Sequence, residues 1–294
     1  MTILSSSCPI CEGQTGLWDT VNGYRLERCR RCGFVFVNPR PDRREIEELY
    51  RTAGGHFGQQ SSSLDEVLDR ERFFPNSTVD AARMIRNVAR VVARGDRLLD
   101  VGSGYGLYTR EALNQGFIVD ALEIAPFERS CSIELTGIIP IDVAFEEFSE
   151  KPDSYGVVLM SQILEHAVDI NEWLAKANRL LHRGGILCVA VPNFGSFLRR
   201  VLGARDPLLN PPTHLNYFSP PSAQLLIEKH GFNIQRIETV SRIPPDAISK
   251  RIARAPHLAR DFSEWVLRVG QLAPLAILDR MQFGIFLNVY AVRP

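Results

Sequence analysis

The 294-residue chain has no excess of either charge, since Lys plus Arg and Asp plus Glu number 34 each. Proteins that grip nucleic acid through phosphates carry a basic surplus, so the balance argues against that class. Locally, the first fifty residues hold seven Arg against seven carboxylates, and residues from 241 onward hold eight Lys or Arg against four acids. That mild basic stretch is read as a solvated helix face, with an anionic partner as the alternative. Also missing is any uninterrupted apolar run near the roughly 20 residues that span a bilayer. Met1 to Ser7 has neither a basic start nor a long apolar stretch, so no secretory signal is expected. Cysteine is scarce at six, and the expected compartment is the reducing cytoplasm, where thiols ligate metal more often than they pair. No internal repeat is present. The hydrophobic share of 45% supplies a sizeable core and excludes a disordered chain.

Four of the six cysteines form two pairs, Cys8-Pro-Ile-Cys11 and Cys29-Arg-Arg-Cys32, with seventeen residues between them. Two such pairs can wrap four thiolates around one Zn²⁺, a closed and therefore structural site. Gly13 and Gly33 follow the pairs, where tight turns bring backbone near sulfur. Leu17 to Arg28 reads as a β-hairpin turning at Asn22-Gly23, and Phe34 to Val37 as a further strand. These features make residues 1–40 a small zinc ribbon. Asp42 to Tyr50 reads as a helix capped by Asp42. Gly, Gln and Ser dominate 51–63, a loop, and helical periodicity returns over 64–74 and 77–94, so 41–95 is expected to be linker and helical cap.

From Arg97 onward, strand-like runs alternate with helical stretches: Arg97–Val101, Ile118–Ile124, Ile138–Asp142, Gly156–Ser161, Gly185–Val191, Asn233–Thr239 and Phe283–Arg293. Helices separate the first five, the mark of a doubly wound parallel α/β sheet. The last strand follows a helical insertion at 246–281, in which Trp265 to Leu278 is amphipathic. Cys131 and Cys188 read as core, as do Trp173, Leu174, Leu180 and Leu181, which recur at helical spacing.

The chemistry centres on Leu98-Leu-Asp-Val-Gly-Ser-Gly-Tyr-Gly-Leu107. An apolar strand runs into Gly102, Gly104 and Gly106 and then into a helix near Tyr108, at a topological switch point that opens a crevice. In a dinucleotide fingerprint the third glycine would fall at Leu107. Asp100 just ahead of the loop would repel a pyrophosphate but suits the amino group and sulfonium of S-adenosylmethionine. Glu123, nineteen residues beyond Gly104, ends the second strand where ribose hydroxyls would be held. Tyr105 reads either as a cofactor contact or as loop packing.

With those residues in view, the segment 96–240 resembles the class I S-adenosylmethionine-dependent methyltransferases. It is most similar to the small-molecule group that includes ubiquinone-pathway O-methyltransferases. The matching blocks are Leu98–Gly106, Glu123, Ser161-Gln-Ile-Leu-Glu-His166, Arg179-Leu-Leu-His-Arg-Gly-Gly185, Val191-Pro-Asn193, and His214-Leu-Asn-Tyr-Phe-Ser-Pro220 leading to Gly231-Phe232. The resemblance implies a seven-stranded Rossmann-like sheet with the last strand antiparallel, so 96–294 becomes the methyltransferase domain. It further implies adenine near Val143, Ala144 and Phe145, Gln162 along the ribose-methionine side, and an acceptor loop at 194–219. Members with sugar, polyketide or lipid-linked substrates carry similar N-terminal ribbons.

Methyl transfer needs mostly orientation, and a hydroxyl acceptor also needs its proton removed, commonly by histidine. His166, after the fourth strand, and His214, in the acceptor loop, stand as the candidates; for each the alternative is a hydrogen-bonded loop anchor. Ubiquinone-pathway relatives surround a Glu-His pair with acidic residues and hold a catechol through a divalent cation. Here Glu165-His166 is kept, but Gln162 stands where some relatives have Glu and only Asp169 adds a carboxylate, which argues against a catalytic metal. The expected activity is methylation of a small molecule, O-methylation favoured, in secondary metabolism or in sugar or glycan biosynthesis, with a homodimer open. A methyltransferase of RNA or another macromolecule and a non-catalytic cofactor-binding module are the rivals.

Overall fold

The computed structural model describes residues 7–53, 62–73, 76–241 and 274–294. The ribbon begins with strands β1 (Thr15–Val21) and β2 (Tyr24–Cys29), antiparallel across a two-residue turn. Asn22 (φ 50°) and Gly23 (φ 82°) both take the left-handed conformation that this tight hairpin requires. Strand β3 (Val35–Val37) pairs with β2 on one side and, on the other, with β8 (Asn216–Tyr217) from the far end of the segment 194–219. The ribbon sheet is therefore completed by a distant part of the chain.

Helix α1 (Arg43–Ala53) starts where Asp42 Oδ1 accepts the Arg44 amide at 2.8 Å, the expected cap. Helices α2 (Leu64–Phe73) and α3 (Ser77–Val88) follow. The central sheet holds β4 (Arg97–Val101), β5 (Ile118–Leu122), β6 (Tyr155–Ser161), β7 (Leu181–Pro192), β9 (Asn233–Val240) and β10 (Phe286–Val292). Their order is β5-β4-β6-β7-β10-β9. β5, β4, β6 and β7 run parallel, and β10 is antiparallel to both β7 and β9, as the resemblance implies for the last strand. Helices α4 (Leu107–Asn114), α5 (Pro126–Thr136), α6 (Ile170–Leu180), α7 (Phe197–Leu202), α8 (Pro220–Lys229) and α9 (Pro274–Arg280) connect or flank the strands.

The seven-strand expectation changes in one place. Residues 138–142 add a single parallel bridge, Leu122 to Ile141, instead of a full edge strand. Only Ile141 pairs, donating to Ala121 O at 2.8 Å and accepting from Glu123 N at 3.2 Å, while Pro140, with its nitrogen facing the outer edge, is tolerated there. Apart from α9, the expected insertion at 246–281 lies outside the described residues, as does most of the loop at 51–63.

Alternation along the strands divides the core in two. Leu98, Val157, Leu159, Ile186 and Cys188 face Met84, Ile85 and Val88 of α3 and Ala112 of α4. Leu99, Val101, Val158, Met160 and Leu187 face Trp173, Leu174 and Ala177 of α6 and Leu226 and Ile227 of α8. Phe34 and Phe36 of the ribbon join this second cluster, with Phe34 meeting Phe218 at 5.3 Å between ring centroids. Leu99, fully buried at 0% exposure, sits at its centre. Leu99→Ala should lower the unfolding free energy by about 2–5 kcal/mol in a urea titration, whereas a loss under about 1 kcal/mol would show a loosely packed site.

Candidate active site

β4 ends in a loop whose Gly102, Gly104 and Gly106 have φ of 67°, 53° and 81°. A Cβ on Gly102 would stand 2.7 Å from Ile163 Cδ1, so the loop meets the segment after β6 only because no side chain intervenes. At Gly106 a Cβ would meet Ser132 Oγ at 2.6 Å, which brings α5 equally close to the start of α4.

Two carboxylates frame the bend. Asp100, 1% exposed, accepts a hydrogen bond from Thr109 Oγ1 at 2.7 Å. Burial raises its pKa to about 6 against that bond, with Glu123 adding to the rise. Glu123 accepts the Gly104 amide at Oε2 and the Ala125 amide at Oε1, both at 2.8 Å. Burial raises its pKa although both amides oppose the shift. The residue expected at the ribose hydroxyls thus also shapes the glycine loop. A carboxylate has about four lone-pair sites, so acceptor capacity remains after the two amides.

Gln162 is exposed at the tip of β6 with φ 54°, held by its amide bond to Ala190 O at 2.7 Å. A left-handed non-glycine residue costs on the order of 1–3 kcal/mol and marks a site held by its surroundings. Ala144 is half-buried, whereas the Phe145 ring lies in the core, edge-on to Trp173 at 5.1 Å. Tyr105 also packs inward, edge-on to Phe127 at 6.1 Å, in favour of the loop-packing alternative.

The histidines meet: the rings of His166 and His214 lie edge to face at 4.9 Å. His166 ends a short 3-10 turn, Leu164–His166, directly after β6. Its Nδ1 faces Thr213 O at 2.7 Å and Tyr50 Oη at 2.6 Å, and its Nε2 faces Gln162 O at 3.1 Å. His214 Nδ1 faces Leu208 O at 2.7 Å. A carbonyl only accepts, so that contact assigns the proton to Nδ1 and leaves the lone pair of the neutral ring on Nε2. Burial lowers the His214 pKa, which favours this neutral form at neutral pH. Glu165, 1% exposed, lies below them, and neither of its oxygens meets a hydrogen-bond partner beyond its own amide. Burial drives its pKa up to about 8.

Donor atoms of Glu165, His166 and His214 lie within 4.8 Å of one another, a spacing that admits a metal ion. Both ring nitrogens of His166 already face carbonyl oxygens, which suits a fixed proton carrier better than a ligand. Asp169 is committed elsewhere: Oδ1 caps α6 by accepting the Asn171 and Glu172 amides at 2.9 and 3.1 Å.

At the ribbon, the sulfurs of Cys8, Cys11, Cys29 and Cys32 all lie within 4.8 Å of one another. Cys8 to Cys32 is 3.6 Å and Cys11 to Cys29 is 3.5 Å. Tetrahedral Zn²⁺ with bonds of about 2.3 Å separates its sulfurs by about 3.8 Å, so the set fits. Amides of Ile10, Arg31 and Cys32 point at the Cys8 and Cys29 sulfurs from 3.3–3.4 Å. A Cβ on Gly13 would press on the Cys29 and Cys11 sulfurs at 3.2 and 3.3 Å. Burial pushes the Cys8 thiol up to about 11, while amide bonds bring Cys29 down to about 7 against its own burial.

Two residues of this neighbourhood escape the sequence reading. Tyr50 reaches His166 from α1, 116 positions away, and no local pattern marks it. Asn216 stands inside a block quoted for the resemblance, yet its burial and contacts follow only from the pairing of β8.

Comparison with known proteins agrees with this geometry. The methyltransferase domain family matches residues 73–237, more than half of the chain. The ubiquinone biosynthesis O-methyltransferase of Rhizobium etli is 27% identical over 106 residues, covering 34% of this chain and 42% of that protein. Its counterpart from Xanthomonas campestris is 30% identical over 138 residues, covering 44% of this chain and 58% of the relative. The chain thus spans roughly half the length of these curated relatives. Among solved structures, Burkholderia thailandensis 1,6-didemethyltoxoflavin-N1-methyltransferase superposes with a TM-score of 0.54 at 14% identity, covering 95% of this chain and 98% of that one. A Thermotoga maritima S-adenosylmethionine-dependent methyltransferase, described as a possible histamine N-methyltransferase, gives 0.51 at 17% identity over 79% and 97%. The chain belongs to the methyltransferase domain family, in its class I S-adenosylmethionine-dependent branch. No helix among the described residues is long and apolar enough to cross a membrane.

The buried acids set a pH dependence. Below pH 4.5 Glu165 holds a proton in both folded and unfolded chains; from there to about 8 only the folded chain keeps it. The stability this provides is present in acid and is lost as pH rises across that window, with Asp100 contributing between 3.8 and about 6. Glu165→Gln should therefore flatten the decline between about pH 6 and about pH 8 in urea titrations, and should be more stable than the parent at the upper end. Parallel curves for the two proteins would contradict a buried, unpartnered Glu165.

Proposed function

We propose that this chain transfers a methyl group from S-adenosylmethionine to a hydroxyl of a small-molecule acceptor in the biosynthesis of a secondary metabolite, sugar or glycan. The observation that carries it is the Glu123 carboxylate bonded to the Gly104 amide at 2.8 Å beside the buried Asp100. This places acid oxygens against a glycine bend that admits an adenosyl ligand, with Gly102, Gly106, Gln162 and Ala144 around it. Phe145 would act from beneath, as packing.

In the proposed reaction the acceptor oxygen attacks the sulfonium methyl in line. The S–CH₃ bond breaks as the O–CH₃ bond forms, and S-adenosylhomocysteine leaves. Alignment alone can contribute about 7–11 kcal/mol. His214 takes the hydroxyl proton on Nε2, supported by its Nδ1 contact to Leu208 O at 2.7 Å. His166, gripped by Thr213, Tyr50 and Gln162, orients His214 and shapes the acceptor face. The O-methyltransferase names of the ubiquinone-pathway relatives support oxygen as the acceptor atom. A nitrogen acceptor is the second reading, favoured by the N1-methyltransferase likeness. The neutral charge balance disfavours an RNA substrate. Cys8, Cys11, Cys29 and Cys32 hold a structural Zn²⁺, and the protein works in the cytoplasm.

Calorimetry tests the cofactor assignment. Asp100→Ala combined with Glu123→Ala should weaken S-adenosylmethionine binding at least about tenfold, the loss expected when charged hydrogen-bond partners are removed. Undiminished affinity, or preferential binding of a nicotinamide dinucleotide, would overturn it. Metal analysis of the purified chain should find about one zinc, lost in Cys29→Ser. A metal-free, fully folded parent protein would refute that part.

A further inference from the structure

We infer that Asn216 and Arg40 form a positioning pair through which the metal ribbon holds the Glu165–His166 turn in place. The inference rests on the assignment of His166 and His214 to the active site and adds to it the residues that set their geometry.

The carbonyls at the end of a short helical turn have no partners within the turn itself. Here Leu164 O accepts the Ala167 amide at 3.3 Å within the turn, and the carbonyls beyond it are met from outside. Asn216 is 2% exposed, and its Nδ2 donates to Ala167 O at 2.7 Å and Glu165 O at 3.3 Å, with Leu164 O at 3.5 Å. The neighbouring Leu215 amide also donates to Glu165 O, at 2.8 Å. Two consecutive residues of the β8 segment therefore grip the turn that carries His166. Thr213, two residues earlier, presents the carbonyl that His166 Nδ1 faces.

An amide can serve this purpose only if its NH₂ end points at the turn. Arg40 settles the orientation: its Nη2 donates to Asn216 Oδ1 at 2.7 Å, and a guanidinium has no acceptor that a flipped amide could use. Arg40 Nη1 donates to Leu215 O at 3.0 Å, so the guanidinium holds both residues of the segment. Its carbon sits 5.3 Å from the centre of the Phe36 ring. Phe36 pairs with Asn216 in the β3–β8 ladder and stacks on Phe34, whose carbonyl receives the Cys29 amide at 2.9 Å. Each step from the thiolate cluster to His166 is thus a named contact, and Arg40 with Asn216 is the polar step that meets the turn.

Asn216→Asp is the sharpest test, because it keeps the volume and the Arg40 partner but replaces the NH₂ donor with an acceptor. The measurement is residue-resolved hydrogen exchange on the full chain, with ¹⁵N shifts of the His166 ring, in the presence of S-adenosylhomocysteine. The His166 and Ala167 amides should exchange about tenfold faster or more, from loss of the two amide donors. The His166 ring shifts should move, while zinc content and S-adenosylhomocysteine affinity stay near those of the parent. Should Asn216→Asp fail to fold, Arg40→Lys reads the same amides with a smaller acceleration, since lysine keeps the charge but lacks the fork. Unchanged exchange and unchanged ring shifts in a folded variant would overturn the inference and leave methyl transfer standing. Full turnover by His214→Ala would instead sink the catalytic assignment and leave the exchange result in force.

Discussion

The site depends on one close approach. Where β4 and β6 end side by side, the backbone at Gly102 comes so near Ile163 that an added Cβ would stand 2.7 Å from its terminal methyl. That contact draws the glycine loop against the turn bearing Glu165 and His166. The Gly104 amide is then held by Glu123 at the tip of the neighbouring strand. Three strand ends are tied together by a missing side chain and a carboxylate–amide bond. Neither would work alone: without the glycine the turn is pushed away, and without Glu123 a half-buried loop amide loses its acceptor.

The ribbon enters this arrangement as a wall. Zinc ribbons are commonly pictured as separate modules, but here β3 takes β8 as its edge partner and Phe34 and Phe36 share a core with α6 and α8. A closed four-thiolate cluster offers a metal no open position for chemistry. With a metal bound, it would offer rigidity: four side chains from two turns held at one point, with the hairpin and β3 anchored to it. The segment 194–219 ends in β8, which pairs with β3 of the ribbon. A two-residue strand has little stability of its own and borrows it from its neighbour.

Features governed by local chemistry were readable from the chain. Asn22-Gly23 turned the hairpin because both positions need left-handed backbone, and the glycine loop followed from three glycines behind an apolar strand. The pairing of Cys8, Cys11, Cys29 and Cys32 followed from spacing. Features set by distant partners were not readable. Tyr50 closes a helix with no local mark of its contact, Asn216 lies in a block quoted only for the resemblance, and β8 is too short for any periodicity. Residues 138–142 misled in the other direction. Their apolar run has strand composition, but only Ile141 meets β5, through a single bridge to Leu122. Phe145 lies near the expected adenine position in sequence, and its ring turns inward onto Trp173.

The electrostatics of the crevice gives these pieces a common meaning. Asp100, Glu123 and Glu165 are all pushed above the ordinary carboxylate range by burial. Among the described residues no Lys or Arg side chain pairs with any of them; their partners are a hydroxyl, two amides and, at 3.8 Å from Glu165, the ring of His166. Burying acids without cations is costly, and a fold keeps such a group where function repays the loss of stability. A ligand bearing a sulfonium and an ammonium supplies the missing positive charge. On transfer of its methyl the sulfur becomes a neutral thioether, so part of that attraction disappears with the reaction itself. At neutral pH Glu165 still holds its proton, so it is Asp100, at about 6, that meets such a ligand as a charge.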